Sequence, residues 1–407
     1  MAFIFILVLN FLIFGSFGDE LKGVVVIYRH GDRTPVDPYP NDPYRNSSYW
    51  PVGFGQLINK GKLRHLELGR WLRNRYKNYL PEIYNANDIH IQSTDVDRTL
   101  MSAEANLAGL YPPMASQKFD KNLTWQPIPI HTIPEKMDAL LAGKKECAKY
   151  TELRNALFKT PYFRNISRKY HDLFAYLTVK SGNKVTTLEK LEYLYNTLLI
   201  ETFFNYTLPT WAQSAFKKME PLAFLSFATQ TYTPELARLK SGPLFDQIIN
   251  YFQSRIDQSE SKKMMVYSAH DTTIANLLNS MGLFEYHSPP YASTVIFELR
   301  GNNSTNYLNI FYKNSTEPQN MTLKTCSFNC NFKMFVQIMS PVALPLSQWE
   351  QACSNDGTNW YLQPFYIYIF GMVIFVLFAA IVLKMLLNLV NKKTDSSYIQ
   401  LPNEEEA

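Results

Sequence analysis

Gly23-Val24-Val25-Val26-Ile27-Tyr28-Arg29-His30-Gly31-Asp32-Arg33-Thr34-Pro35 is the stretch on which the fold turns. Its first half is an unbroken apolar run rich in β-branched residues, which suits a strand buried on both faces of a sheet. Its second half sets two guanidiniums, an imidazole and a carboxylate directly after that strand. In an open α/β sheet the ground beyond the carboxyl ends of the strands is where ligands bind. Gly31 permits close backbone approach there, and Pro35 stiffens the turn.

Outward from this stretch the pattern repeats. Leu68, Leu72, Tyr76 and Leu80, with Trp71, make one apolar helix face ended by Pro81. Residues 89–93 alternate as a short strand and 95–110 read as a helix; 264–269 and 273–281 form a second such passage. Strand alternating with helix predicts an α/β sheet flanked by helices. From about 125 to 260 the chain turns Leu- and Tyr-rich and helical, as in 187–203, with no comparably clear strand, so a helical cap inserted into the α/β domain is expected. Residues 294–299 and 307–312 flank a Gly-Asn-Asn-Ser turn region and predict an antiparallel pair at the sheet edge.

Both later passages carry chemistry of the same kind. Ser93-Thr94-Asp95-Val96-Asp97-Arg98 puts Arg98 in the first turn of a helix, where the macrodipole disfavours a cation. Either Asp95 or Asp97 compensates it, or a bound anion does. Tyr267-Ser268-Ala269-His270-Asp271-Thr272-Thr273 places a histidine and a carboxylate before another helix, with Asp271 either a plain N-cap or a proton-transfer group. Three separated segments thus deliver Arg29, His30, Arg33, Arg98, His270 and Asp271 to one edge of one sheet. Guanidiniums offer forked donors suited to phosphate, a neutral imidazole can attack phosphorus, and a protonated carboxyl can give its proton to a departing alkoxide.

The bulk properties set the surroundings. The chain has 407 residues, 46% of them apolar, and its net charge of +5 is scattered, so it can bury a large core and nucleic acid is not indicated. Residues 1–18 read as a signal peptide, the alternative being an uncleaved anchor. An uncharged apolar run at 365–383, within a span placed at 364–390 and followed by Lys384, Lys392 and Lys393, predicts one transmembrane helix after a linker at 354–363. The lysines put the tail 391–407 in the cytosol and the domain 19–353 in the lumen or outside the cell, as a single-pass type I membrane protein. Sequons at Asn46, Asn122, Asn165, Asn205, Asn302, Asn303, Asn314 and Asn320 agree with that side, as do four cysteines, all before the span. Cys326 and Cys330 have the spacing of a local bridge, leaving Cys147 and Cys353; a zinc site would need a second close Cys or His pair.

The motifs together resemble the histidine acid phosphatases, and most closely their lysosomal and prostatic type. RHGDRTP (29–35) is similar to that family's RHGxRxP signature, STDVDRTLMSA (93–103) to its second-arginine segment and YSAHDTT (267–273) to its HD segment. The resemblance covers roughly residues 20–353. It implies a phosphoglycerate-mutase-like α/β sheet with a helical cap, and hydrolysis of phosphate monoesters without metal or cofactor. It implies a phosphohistidine on His30, phosphate held by Arg29, Arg33, Arg98 and His270, and proton donation by Asp271. It also implies the pairs Cys147 to Cys353 and Cys326 to Cys330. A further family bridge is absent, its half-cystines expected near Ile200 and Thr294. WQPIPIHT (125–132) is similar to a dimer-forming segment, so a homodimer is an expectation, ordinary packing being the alternative. In the tail, Tyr398-Ile399-Gln400-Leu401 resembles tyrosine-based sorting signals, which implies a clathrin adaptor as partner and an endosomal or lysosomal destination, the cell surface being the alternative. Narrower phosphatases of the same chemistry, phytase-like or acting on lipid or nucleotide phosphates, and a silent receptor-like ectodomain are the competing readings.

Overall fold

The computed structural model of the chain describes residues 20–302, 304–314, 316–354 and 371–386. The expected signal peptide at 1–18, Asn303, residues 355–370 and the tail with Tyr398 and Leu401 lie outside the described residues.

In chain order the elements are β1 (Glu20–Arg29), α1 (Asn59–Arg75), β2 (Ile89–Thr94), α2 (Asp97–Leu110), β3 (His131–Ile133), α3 (Ala148–Phe158), α4 (Pro161–Lys169), α5 (His171–Ser181), α6 (Leu188–Phe203), α7 (Thr210–Ala228) and α8 (Pro234–Ile256). They continue with β4 (Met264–Ala269), α9 (Asp271–Ser280), β5 (Thr294–Gly301), β6 (Asn306–Lys313), β7 (Gln319–Met321), β8 (Cys330–Asn331), α10 (Phe332–Met339) and α11 (Leu346–Cys353). One mixed sheet runs β3-β2-β4-β1-β5-β6-β7, with β8 on β6.

The apolar run of β1 is buried on both faces because both faces are covered. Val25 and Ile27 pack with Phe245, Ile248 and Phe252 of α8 and with Ile274 and Leu277 of α9. Val24, Val26 and Tyr28 face Leu68 and Leu72 of α1 and Ala103 and Leu107 of α2. Alternation along one strand thus serves two helical layers. Helices α1 and α2 touch backbone to backbone: a Cβ at Gly109 would lie 2.8 Å from Arg70 N. Helices α3 to α7 carry a separate apolar cluster that includes Leu177, Leu191, Leu198 and Met219.

Three expectations are corrected in detail. The segment in which no clear strand was expected contains β3, which pairs in parallel with β2 (Gln92 opposite His131); three residues are too few to show a period of two. Its last helix, α8, belongs to the sheet layer rather than to the cap. The antiparallel pair is not at the edge: β5 pairs with β1 in the centre, and β7 lies outside β6. A C-terminal helix covers 371–386, and among the described residues no helix is long and apolar enough to cross a membrane. Residues 20–353 fall in one compact unit, and the chain from Ser354 onward forms another.

Candidate active site

Register explains why the three motifs meet. Strands β2, β4 and β1 are parallel neighbours, with Arg29 opposite Ala269 and Ser93 opposite Ser268. All three end at one level, so His30 and His270 leave adjacent strands side by side, and His30 N donates to Ala269 O at 3.0 Å. The two imidazoles stand edge to face with centroids 5.7 Å apart. Beyond them opens a cavity of about 800 Å³, floored by His30, Arg33, Arg98, His270 and Asp271 and roofed by residues of α6.

His30 is 1% exposed, and its Nδ1–H donates to its neighbour's carbonyl, Gly31 O, at 2.9 Å. That bond fixes the tautomer and leaves Nε2 with its lone pair. A Cβ on Gly31 would meet Gly61 O at 2.5 Å, so only glycine lets the turn lie against α1. Ser102 of α2 ties the same turn down: its Oγ accepts from Gly31 N at 3.0 Å and donates to Arg98 O at 2.6 Å. His270 Nε2 is bonded to Thr94 Oγ1 at 3.0 Å.

The cations are arranged unequally. Arg29 lies beneath the cavity, where its Nη2 pairs with Asp271 Oδ2 at 2.7 Å and its guanidinium stacks 4.2 Å from the Tyr291 ring centroid. Arg33 Nη2 donates to Asn196 Oδ1 of α6 at 3.1 Å, while its Nε is buried without a partner. Arg98 Nε is likewise unpartnered. Neither Asp95 nor Asp97 compensates Arg98; Asp97 instead accepts from Gln56 Nε2 at 2.9 Å. Asp32, inside the first motif, turns away to pair with Arg64 at 2.7 Å.

Burial, then the three arginines, hold His30 well below the usual imidazole range, and burial with Arg98 lowers His270 to about 3. Burial and Arg33 lower Arg98 to about 10. Burial raises Asp271, but Arg29, Arg33 and His270 together outweigh it and leave the carboxyl below its ordinary value. The site therefore holds neutral imidazoles, a carboxylate and guanidinium donors suited to an anion.

The sequence matches the profile of the histidine phosphatase superfamily (branch 2) over residues 20–313. The chain belongs to this family. It is 38% identical over 396 residues to a lysosomal acid phosphatase of Xenopus laevis, covering 95% of this chain and 90% of that one. It is 37% identical over 352 residues to the prostatic acid phosphatase of Homo sapiens, covering 84% and 90%. Among solved structures, the phytase of Citrobacter braakii superposes with a TM-score of 0.61 at 16% identity, covering 83% of this chain and all of that one. That likeness is one of fold.

Arg29, His30, Arg33, Arg98, His270 and Asp271 are all brought together in this branch 2 histidine phosphatase, whereas Asn196, Thr94, Ser102 and Tyr291 escaped the sequence reading. Asn196 interrupts a Leu- and Tyr-rich helix, which was the one available hint. Both disulfides are formed, Cys147–Cys353 and Cys326–Cys330. Of the sequons, Asn46, Asn122, Asn165, Asn205 and Asn320 are exposed, and Asn302 and Asn314 are partly so.

Proposed function

We propose that the chain is an acid phosphatase that hydrolyses phosphate monoesters through His30. The observation that carries this reading is the unpartnered guanidinium donors of Arg33 and Arg98 beside a buried, tautomer-fixed His30. The ester phosphate sits among Arg29, Arg33, Arg98 and His270, which take up charge on the non-bridging oxygens. His30 Nε2 forms the P–N bond as the ester P–O bond breaks, and the leaving oxygen takes a proton from Asp271. Water then attacks phosphorus, the P–N bond breaks, and Asp271 recovers the proton that the water gives up.

Asp271 beside Arg29 and Arg33 is a carboxylate, so its proton must arrive with the substrate. A phosphate monoester has its second pKa at about 6, and its monoanion brings that proton in. Once a phosphate occupies the arginines, Asp271 loses their pull and holds the proton more tightly. Turnover is therefore greatest in acid. Assaying purified protein on alkyl, aryl, sugar, nucleotide and inositol phosphates at acid and neutral pH tests the reading and separates a broad from a narrow phosphatase. No turnover of any of them in acid would refute it.

The names of the lysosomal relatives and the exposed sequons support a lumenal or secreted setting. We extend the reading to a type I anchor at 364–390, a dimer through the exposed edge at Trp125 and β3, and adaptor binding at Tyr398 and Leu401. Surface biotinylation of Tyr398→Ala tests the last: a wild-type surface pool counts against it.

A further inference from the structure

Helix α6 turns a polar stripe down onto the cavity. The bond from Arg33 to Asn196 pins this face of the helix over the phosphate floor. Glu192 lies one turn before Asn196, on the same stripe, and lines the same cavity as His30, Arg98 and Asp271. It is partly buried, and among the described residues its carboxyl has no hydrogen-bond or ion-pair partner. Glu298, which serves the fold, is paired with Arg75 at 2.7 Å and with Arg300 at 2.9 Å. Glu201 is unpaired as well but does not line the cavity, whereas Glu192 does and is left to the ligand.

We propose that Glu192 is a further substrate-contacting residue, whose uncharged carboxyl donates a hydrogen bond to the alcohol side of the bound ester and whose ionisation repels the phosphate. The proposal rests on the phosphatase reading of this cavity.

The surroundings favour the uncharged form. Burial in the cavity wall and the charge of Asp271, across in α9, raise Glu192 to about 8 against the pull of Arg33 and Arg29, with Glu189 of its own helix pushing the same way as Asp271. The other charged groups that line the cavity are Arg98, Glu135 and Lys144, Asp37 after β1, Lys184 just before α6 and Lys190 in its first turn. The sign follows: Glu192 is neutral below about 8 and adds a negative charge above it. His30, His270 and Asp271 are all lowered, so in the free enzyme they do not compete as the source of a change on that side.

Inorganic phosphate is the probe, as a competitive inhibitor of wild type, Glu192→Gln and Glu192→Ala at about pH 6.5 and about pH 9, each variant first shown to be folded by its melting curve. The ionisation of phosphate itself enters all three proteins equally. In wild type Ki rises about tenfold between the two pH values beyond that common factor, as loss of one proton one pH unit past its pKa requires. In both variants the rise is at least threefold smaller. Wild type also takes up more protons on binding phosphate near pH 8.5 than Glu192→Gln does, by most of one proton, read from the buffer dependence of the binding enthalpy. Equal Ki ratios in all three proteins overturn the proposal and leave the phosphatase reading standing; absence of both turnover and phosphate inhibition in wild type overturns the phosphatase reading itself.

Discussion

Asp271 illustrates how far single residues could be read ahead of the structure. Its place after His270 at the end of a strand was visible in the sequence, and so was its choice between N-cap and proton donor. The structure makes His270 the N-cap of α9, not Asp271, and pairs Asp271 with Arg29 beneath the cavity. Asp271→Asn keeps the shape, loses the proton donor and leaves Arg29 without its anion. Alkyl phosphates, whose alkoxide needs that proton, should lose about 10²–10⁴-fold in kcat, and aryl phosphates much less. Equal losses for both classes would remove the general-acid role. Asn196 and Glu192 show the opposite case. Apart from Asn196 breaking a Leu- and Tyr-rich run, nothing local distinguishes them from the polar face of any amphipathic helix, and only the placing of α6 over the cavity turns them into site residues.

At the scale of elements, the strands that carry the site were legible because each announces itself by a buried apolar run or by alternation, followed directly by charged residues. The short β3 was not, and α8 was misplaced because the sequence of an amphipathic helix does not say which sheet or cap it covers. The cap lacks the further family bridge, and Ile200 and Thr294 are instead buried apolar and hydroxyl side chains. Contacts such as Arg33 with Asn196 and the Phe203 ring 6.3 Å from Tyr291 join cap and sheet. The Cys147–Cys353 bridge ties the start of α3 to the end of α11 across a sequence separation of 206, whereas Cys326–Cys330 spans 4. In the chain-entropy picture the first contributes about 5 kcal/mol and the second about 2 kcal/mol. Replacing Cys147 and Cys353 by serine should therefore lower the melting temperature well beyond the Cys326/Cys330 pair, and equal drops would contradict this.

For the whole molecule, the buried titratable groups set opposing slopes of stability with pH. His65 and His270 fold with pKa values lowered by burial to about 4 and about 3, and His30 is lowered as well. Below the free value of 6.5 the unfolded chain gains protons that the native chain refuses, so stability falls as pH falls. Glu192 and Glu201 are raised by burial from 4.5 to about 8, so as pH climbs between those values the unfolded chain sheds protons that the native chain keeps, and stability falls again. Three histidines outweigh two glutamates on the acid side; between about 6.5 and 8 the glutamates dominate, and only above that does Lys240, lowered by burial to about 8, oppose them. The melting temperature should peak near about pH 6.5 and fall toward both about 4.5 and about 8.5. Glu201→Gln should flatten the alkaline limb, since both Glu201 carboxyl oxygens are buried without a partner. A melting temperature that rises steadily to pH 8.5 would count against these assignments.

The nucleophile is tested most directly by trapping it. Rapid mixing with a ³²P-labelled phosphomonoester in acid, followed by an alkaline quench, should leave label on one peptide containing His30, in a bond stable to base and lost in acid. His30→Ala should keep its fold, show no label and lose several orders of magnitude in turnover. Label on another residue, or turnover by His30→Ala near the wild-type rate, would contradict a phosphohistidine on His30.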